Sequence, residues 1–145
     1  MSEKKFNIRV YGLLINDKNE ILVSDESRSG FFFTKFPGGG LEWGEGIKDC
    51  LVREFQEELG IQIEVDELFY CTDFFIESAF KNTDQLISIY YKVKYNRLNE
   101  LNFANIRSSE LSNDEQFRWI SLTTISQDEF TFPIDKLVAN KLKEL

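Results

Sequence analysis

The chain has no histidine, two cysteines and two prolines, and its 17 Lys and Arg are outnumbered by 25 Asp and Glu. Without histidine, Ser-His-Asp triads, His-ligated zinc and imidazole acid–base chemistry are excluded. Cys50 and Cys71 are too few for a disulfide framework or a cysteine-only zinc site, and they read as reduced thiols. The net charge of −8 argues against nucleic acid as a partner, because a groove for bare nucleic acid normally carries the opposite sign. Any phosphate bound here needs positive charge supplied locally, as a metal ion can do. No apolar run approaches the ~20 residues of a membrane-spanning helix, so no membrane partner is expected. The stretch after Met1-Ser2-Glu3-Lys4-Lys5 is broken by Asn7 and Arg9, unlike a secretion signal. The expected location is the cytoplasm.

What is present is apolar bulk: 42% of 145 residues, including 14 Phe. That composition predicts one packed domain over residues 1–145, with 1–5 flexible. Phe6 to Ile15 reads as a strand, Asn16 to Asn19 as a turn, and Glu20 to Ser24 as the hairpin partner. Asp25 to Gly30 reads as a polar loop, and Phe31 to Phe33 with Phe36 as a short buried strand. Pro37-Gly38-Gly39-Gly40 is expected to be irregular. A helix is predicted over Ile47–Leu59, ended by Gly60 in a left-handed conformation. Two long β-rich stretches follow, Ile61 to Glu77 and Gln85 to Tyr95, joined by a polar turn over Ser78 to Asp84. Phe117 to Leu122 reads as a last strand. Pro133 opens a C-terminal helix whose apolar stripe would run through Leu137, Val138, Lys141, Leu142 and Leu145. Mixed strands with two or three helices are expected.

The most informative segment is Gly39-(five)-Glu45-(seven)-Arg53-Glu54-Phe55-Gln56-Glu57-Glu58-Leu59-Gly60-Ile61. On a helix at ~100° per residue, Leu51, Val52, Phe55 and Leu59 face the core. Glu54, Glu57 and Glu58 share another arc, since i, i+3 and i+4 are neighbours. Isolated glutamates usually form a merely solvated face. Here Arg53, the glycine loop and the helix stop all fall at coordinated positions, which favours a built site. With only oxygen ligands available the expected ion is Mg²⁺, with Mn²⁺ as a possible substitute. Mg²⁺ prefers one or two carboxylates plus substrate phosphates, which points to phosphate-chain chemistry.

This segment resembles the Nudix box at every fixed position, with Phe55 and Ile61 at its two bulky-apolar positions. A chance match in a chain of this composition is on the order of 10⁻⁶ or less. The chain is similar to small, single-domain, MutT-like Nudix hydrolases. Phe36 to Gly40 before the box and Phe117-Arg118-Trp119-Ile120 after it extend the likeness. The resemblance implies an α+β Nudix fold, an α/β/α sandwich around a mixed β-sheet. It also implies Mg²⁺-dependent hydrolysis of a pyrophosphate bond in a nucleoside diphosphate-linked compound. Matched residue by residue, it implies that Glu57 and Glu58 ligate metal and that Glu54 is a further ligand or the base for water. The Gly39 carbonyl would be a loop ligand. Arg53 would pair with Glu45 to orient the helix, which Gly60 ends. The family often draws its base from outside the box, which brings in Glu115, and Asp114 beside it. A homodimer is a family-level expectation only.

Other residues carry less. Cys50 and Cys71 read as packing residues, since Mg²⁺ is hard and thiol soft. Arg9, Arg28 and Lys35 are candidates to contact substrate phosphate or ribose. The markers of several Nudix subgroups are missing, which favours a small nucleotide substrate, either a nucleoside triphosphate or a nucleotide sugar. Two alternatives share the fold. A non-catalytic Nudix-fold sensor is disfavoured by the complete set of box carboxylates. An RNA-end pyrophosphohydrolase is disfavoured by the acidic charge.

Overall fold

The computed structural model describes residues 3–101 and 115–145. Among the described residues, seven strands and two α-helices follow in chain order. They are β1 (Lys5–Leu14), β2 (Glu20–Arg28), β3 (Phe31–Lys35), β4 (Gly38–Gly40), α1 (Ile47–Leu59), β5 (Glu64–Cys71), β6 (Asp84–Lys94), β7 (Gln116–Ser121) and α2 (Pro133–Lys143). A four-stranded mixed sheet has the order β4-β1-β6-β5, with β1 and β6 parallel and the other pairs antiparallel. An antiparallel three-stranded sheet has the order β3-β2-β7.

The layers follow from strand alternation. Val10 and Leu14 of β1 pack with Leu22, Cys50, Leu51, Phe55 and Leu59 on the α1 side. Leu13 of β1 joins Ile21, Val23, Phe36, Tyr90, Ile134, Val138 and Leu142 on the α2 side. The helices therefore cover opposite faces of the strands, as the expected sandwich requires. Phe55 is fully buried, and its truncation to alanine would cost about 3–5 kcal/mol. Helix α1 spans the predicted residues, and Gly60 closes it with φ 69°, donating its N–H to the Gln56 carbonyl. A side chain there would be strained in the left-handed region.

Several expectations are corrected. The Asn16 to Asn19 turn forms, with the Asn16 Oδ1 accepting from the Lys18 and Glu20 N–H groups. Its flanking strands are not a hairpin, however: they enter different sheets, and their backbones bridge at Ile15–Ile21. Both edges of β1 are already taken, by β4 and β6. The polar run after Ser24 is strand as far as Arg28, since Asp25 pairs with Thr34 on one side and Gln116 on the other. The glycine run is also paired: Gly38 to Gly40 align with Tyr11 to Arg9 as β4, with Gly38 at φ 146°. Phe33 and Phe36 are buried, whereas Phe31 and Phe32 are exposed. On α1, Cys50 rather than Val52 completes the buried face. On α2 the buried face is Ile134, Asp135, Val138, Ala139 and Leu142, and Leu145 is exposed. Lys5 already belongs to β1, its N–H donating to the Thr83 carbonyl at 3.0 Å.

Candidate active site

The site is organised by Arg53. Its Nε and Nη2 grip both oxygens of Glu45, at 3.0 and 2.7 Å, in the fork geometry suited to a carboxylate. Nη2 also donates to the Gly40 carbonyl at 3.1 Å, and Nη1 reaches Glu57 at 3.2 Å and Glu54 at 3.4 Å. One guanidinium thus ties the glycine strand, the loop before α1 and two helix carboxylates together. The hydrogen bond from Arg53 holds the Glu45 carboxyl down at about 2.

Glu54 lies directly against the glycine strand. A Cβ on Gly39 would collide with all three atoms of the Glu54 carboxylate group. Position 39 is therefore glycine because a carboxylate needs the space, beside a backbone carbonyl. Glu58, one turn from Glu54, turns inward. Its Oε2 is buried and has no hydrogen-bond partner among the described residues. Burial raises the Glu58 carboxyl well above the usual range, with Glu115, Glu54 and Glu26 pushing the same way and Lys35 opposing. Burial also raises Glu54, where Arg53, Lys35 and Arg9 oppose the shift and Glu57 adds to it. Glu115, bonded by the Ser24 hydroxyl at 3.0 Å, is raised by burial and by Glu26.

A cluster in which carboxylates disfavour one another's charge fits a hard cation. The orphaned Glu58 oxygen, the Glu54 carboxylate seated against Gly39 and the all-oxygen donor set agree with that. Among the described residues, no three acidic or thiol side chains close around a single point. Mg²⁺ does not need a closed cage, since substrate phosphates and water complete its shell.

Beside the cluster opens a cavity of about 400 Å³, lined by Arg9, Tyr11, Arg28, Phe33, Lys35, Phe80, Tyr90, Phe132 and Asp135 among others. All three basic residues singled out from the sequence line it. Arg9 donates to the Tyr11 hydroxyl at 3.2 Å. Arg28 stacks over Phe80 and Phe33, its guanidinium carbon 4.7 and 5.7 Å from the ring centroids. The Lys35 ammonium turns away from open space, to Glu26 at 3.1 Å and the Phe36 and Gly38 carbonyls at 3.3 and 3.5 Å. At the floor, Asp135 is 3% exposed and accepts from the Tyr90 hydroxyl at 2.6 Å. Burial raises the Asp135 carboxyl to about 6, against the pull of Tyr90, Lys35 and Arg9.

Residues 5–141 match the family model of the NUDIX domain. The chain belongs to the Nudix hydrolase family. It is 30% identical over 144 residues to the 8-oxo-dGTP diphosphatase of Escherichia coli (strain K12), covering 98% of this chain and 99% of that protein. The crystal structure of the MutT protein from Methanosarcina mazei Go1 superposes with a TM-score of 0.73 at 24% identity, covering 99% of this chain and 97% of that one. The solution structure of the E. coli ORF135 protein gives 0.72 at 20%, covering 98% and 91%. These two structures speak for the fold alone. The chain is a MutT-like, Nudix-type pyrophosphohydrolase, in a family that typically uses a divalent metal.

Within this Nudix hydrolase Glu54 lies against Gly39, Arg53 bonds Glu45, Glu54 and Glu57, and the charges of Glu115 and Glu54 act on Glu58. Asp114 lies outside the described residues. Sequence reasoning missed Glu26, Tyr90 and Asp135. Glu26 was hidden in a run taken for loop. Tyr90 reads as a core aromatic and Asp135 as an ordinary acid in the first turn of a helix, and they join only through the fold. The one available signal was an acidic residue, Asp135, two positions after Pro133 on the face a helical stripe would bury. No described helix is long and apolar enough to cross a membrane.

Proposed function

We propose that this Nudix hydrolase cleaves a nucleoside triphosphate, with Mg²⁺, to the nucleoside monophosphate and pyrophosphate. The supporting observation is the adjacency of two environments. A carboxylate cluster fit for a hard cation shares Lys35 with a largely apolar cavity that has a buried carboxylate at its floor. The volume suits a nucleoside-sized group. The full-length relative in E. coli, an 8-oxo-dGTP diphosphatase, supports a triphosphate over a nucleotide sugar.

Each part has a role in this reading. Asp135, kept in place by Tyr90, accepts N–H groups from the edge of a base, and the exposed Phe80 offers a ring face. Arg9 and Arg28 supply donors to ribose or phosphate. Glu54, Glu57 and Glu58 with the Gly39 carbonyl would hold Mg²⁺, or Mn²⁺ in its place. Bound there, the ion supplies charge neutralisation on phosphate oxygens. Glu115, or Glu54 where it is not itself a metal ligand, accepts a proton from the attacking water, since no histidine is available for that task. Water adds to one phosphorus, the bridging oxygen leaves with its electron pair, and the carboxylate holds the proton.

The test is product analysis. The protein with Mg²⁺ is given nucleoside triphosphates (8-oxo-dGTP and the common dNTPs and NTPs), nucleotide sugars, ADP-ribose, dinucleoside polyphosphates and capped RNA. Monophosphate and pyrophosphate from a triphosphate are expected. Turnover confined to sugars or RNA ends, or binding without turnover, would contradict the proposal.

A further inference from the structure

Among the described residues Lys35 is the one buried cation beside the acidic cluster, and its bonding is complete. An ammonium has three donors. Those of Lys35 meet three acceptors: Glu26 Oε2, the Phe36 carbonyl and the Gly38 carbonyl. Its side chain is 8% exposed and that of Glu26 15%. Burial works against the charge on Lys35, but Glu58, Glu26, Tyr11 and Glu115 together outweigh it and raise its pKa, so the ammonium stays charged. Glu26 is tied in turn to Glu115 through the Ser24 hydroxyl, which lies 3.5 Å from Glu26 and 3.0 Å from Glu115. Carboxylates from β2 and the approach to β7 are therefore linked to one buried ammonium. That charge sits beside the glycine strand that would contribute a metal ligand.

We propose that the Lys35 ammonium is a resident counter-cation of the carboxylate cluster. It holds Glu26 and the Gly38 turn in place and weakens the cluster's pull on a divalent ion before substrate phosphates arrive. It is a positioning residue rather than a phosphate ligand, because its donors are spent within the protein. This rests on the metal reading given above.

The role has a consequence opposite in sign to ordinary structural support. Losing a supporting residue loosens a metal site. Removing a positive charge from the field of a divalent cation tightens it. With no nucleotide present, metal-free protein is titrated with Mn²⁺, and free Mn²⁺ is read by electron paramagnetic resonance. Lys35→Gln keeps a donor for the carbonyls and removes the charge. It should bind Mn²⁺ ~10-fold or more tightly than wild type, from the Coulomb energy of a unit charge near a divalent ion. Lys35→Arg should stay near wild type. Unchanged or weaker binding in Lys35→Gln overturns the proposal. If wild type binds no Mn²⁺, the metal reading itself fails. A second measurement needs no variant. In ¹⁵N-lysine-labelled wild type, the buried Lys35 Nζ resonance should shift as Mg²⁺ is added without nucleotide, and an unmoved resonance overturns the proposal.

Discussion

Asp135 should be retained at a cost in stability, and that cost can be measured. Its carboxyl is 3% exposed and is raised from an ordinary 3.8 to about 6, chiefly by burial. An acid with a raised native pKa binds its proton more tightly when folded. Between about pH 4 and 6 the folded state therefore holds more protons than the unfolded chain, and stability falls as pH rises. Above pH 6 the full penalty applies. At 1.36 kcal/mol per pH unit, a gap of about two units gives a ceiling of about 3 kcal/mol. Asp135→Asn keeps an oxygen to accept from the Tyr90 hydroxyl and removes the charge. Thermal unfolding of both proteins from pH 4 to 8 is the assay. The variant should match wild type near pH 4 and gain at pH 7–8, by roughly 2–4 °C in Tm per kcal/mol. Base selectivity should weaken at the same time. A Tm difference that does not vary with pH, or a variant less stable at pH 7, would refute the reasoning.

Other expected outcomes follow from the site. Gly39→Ala places a methyl on the Glu54 carboxylate and should reduce Mn²⁺ affinity ~10-fold or more with the fold intact by circular dichroism; unchanged affinity would separate Glu54 from the metal. Arg53→Lys loses the two-pronged grip on Glu45, and as the pair is partly exposed the loss should be about 1–2 kcal/mol in urea unfolding. Glu45 is lowered from 4.5 to about 2, so its contribution is full above about pH 4.5 and is lost as pH falls toward 2. Acid unfolding of Arg53→Met should accordingly begin at higher pH than in wild type, and a coincident acid transition would count against the pairing. Phe80→Ala should raise KM with little change in kcat, as expected for a wall of the cavity remote from the reacting phosphorus.

The helix and its acids were legible because their signals are local. The i, i+3, i+4 spacing put Glu54, Glu57 and Glu58 on one arc, and Gly60 marked the stop. The glycine run was not legible as β4, because strand pairing with Tyr11 to Arg9 is a long-range fact. The β1–β2 turn was legible, but its partition between two sheets was not. Local turn chemistry is blind to β4 and β6 occupying both edges of β1. Asp25 and Glu26 look like loop by composition, yet Thr34 and Arg118 bond Asp25, and Lys35 pairs with Glu26 inside a sheet. Asp135 and Tyr90 lie 45 residues apart and become a pair only when α2 covers β6.

The central claim is that the carboxylates of α1 hold the metal that drives pyrophosphate cleavage, and Glu58→Gln tests it most directly. The Glu58 Oε2 has no partner to lose among the described residues, so the variant should fold normally. With a nucleoside triphosphate and saturating Mg²⁺, its monophosphate release should fall on the order of 10²-fold or more in kcat. A near-wild-type rate would contradict the account.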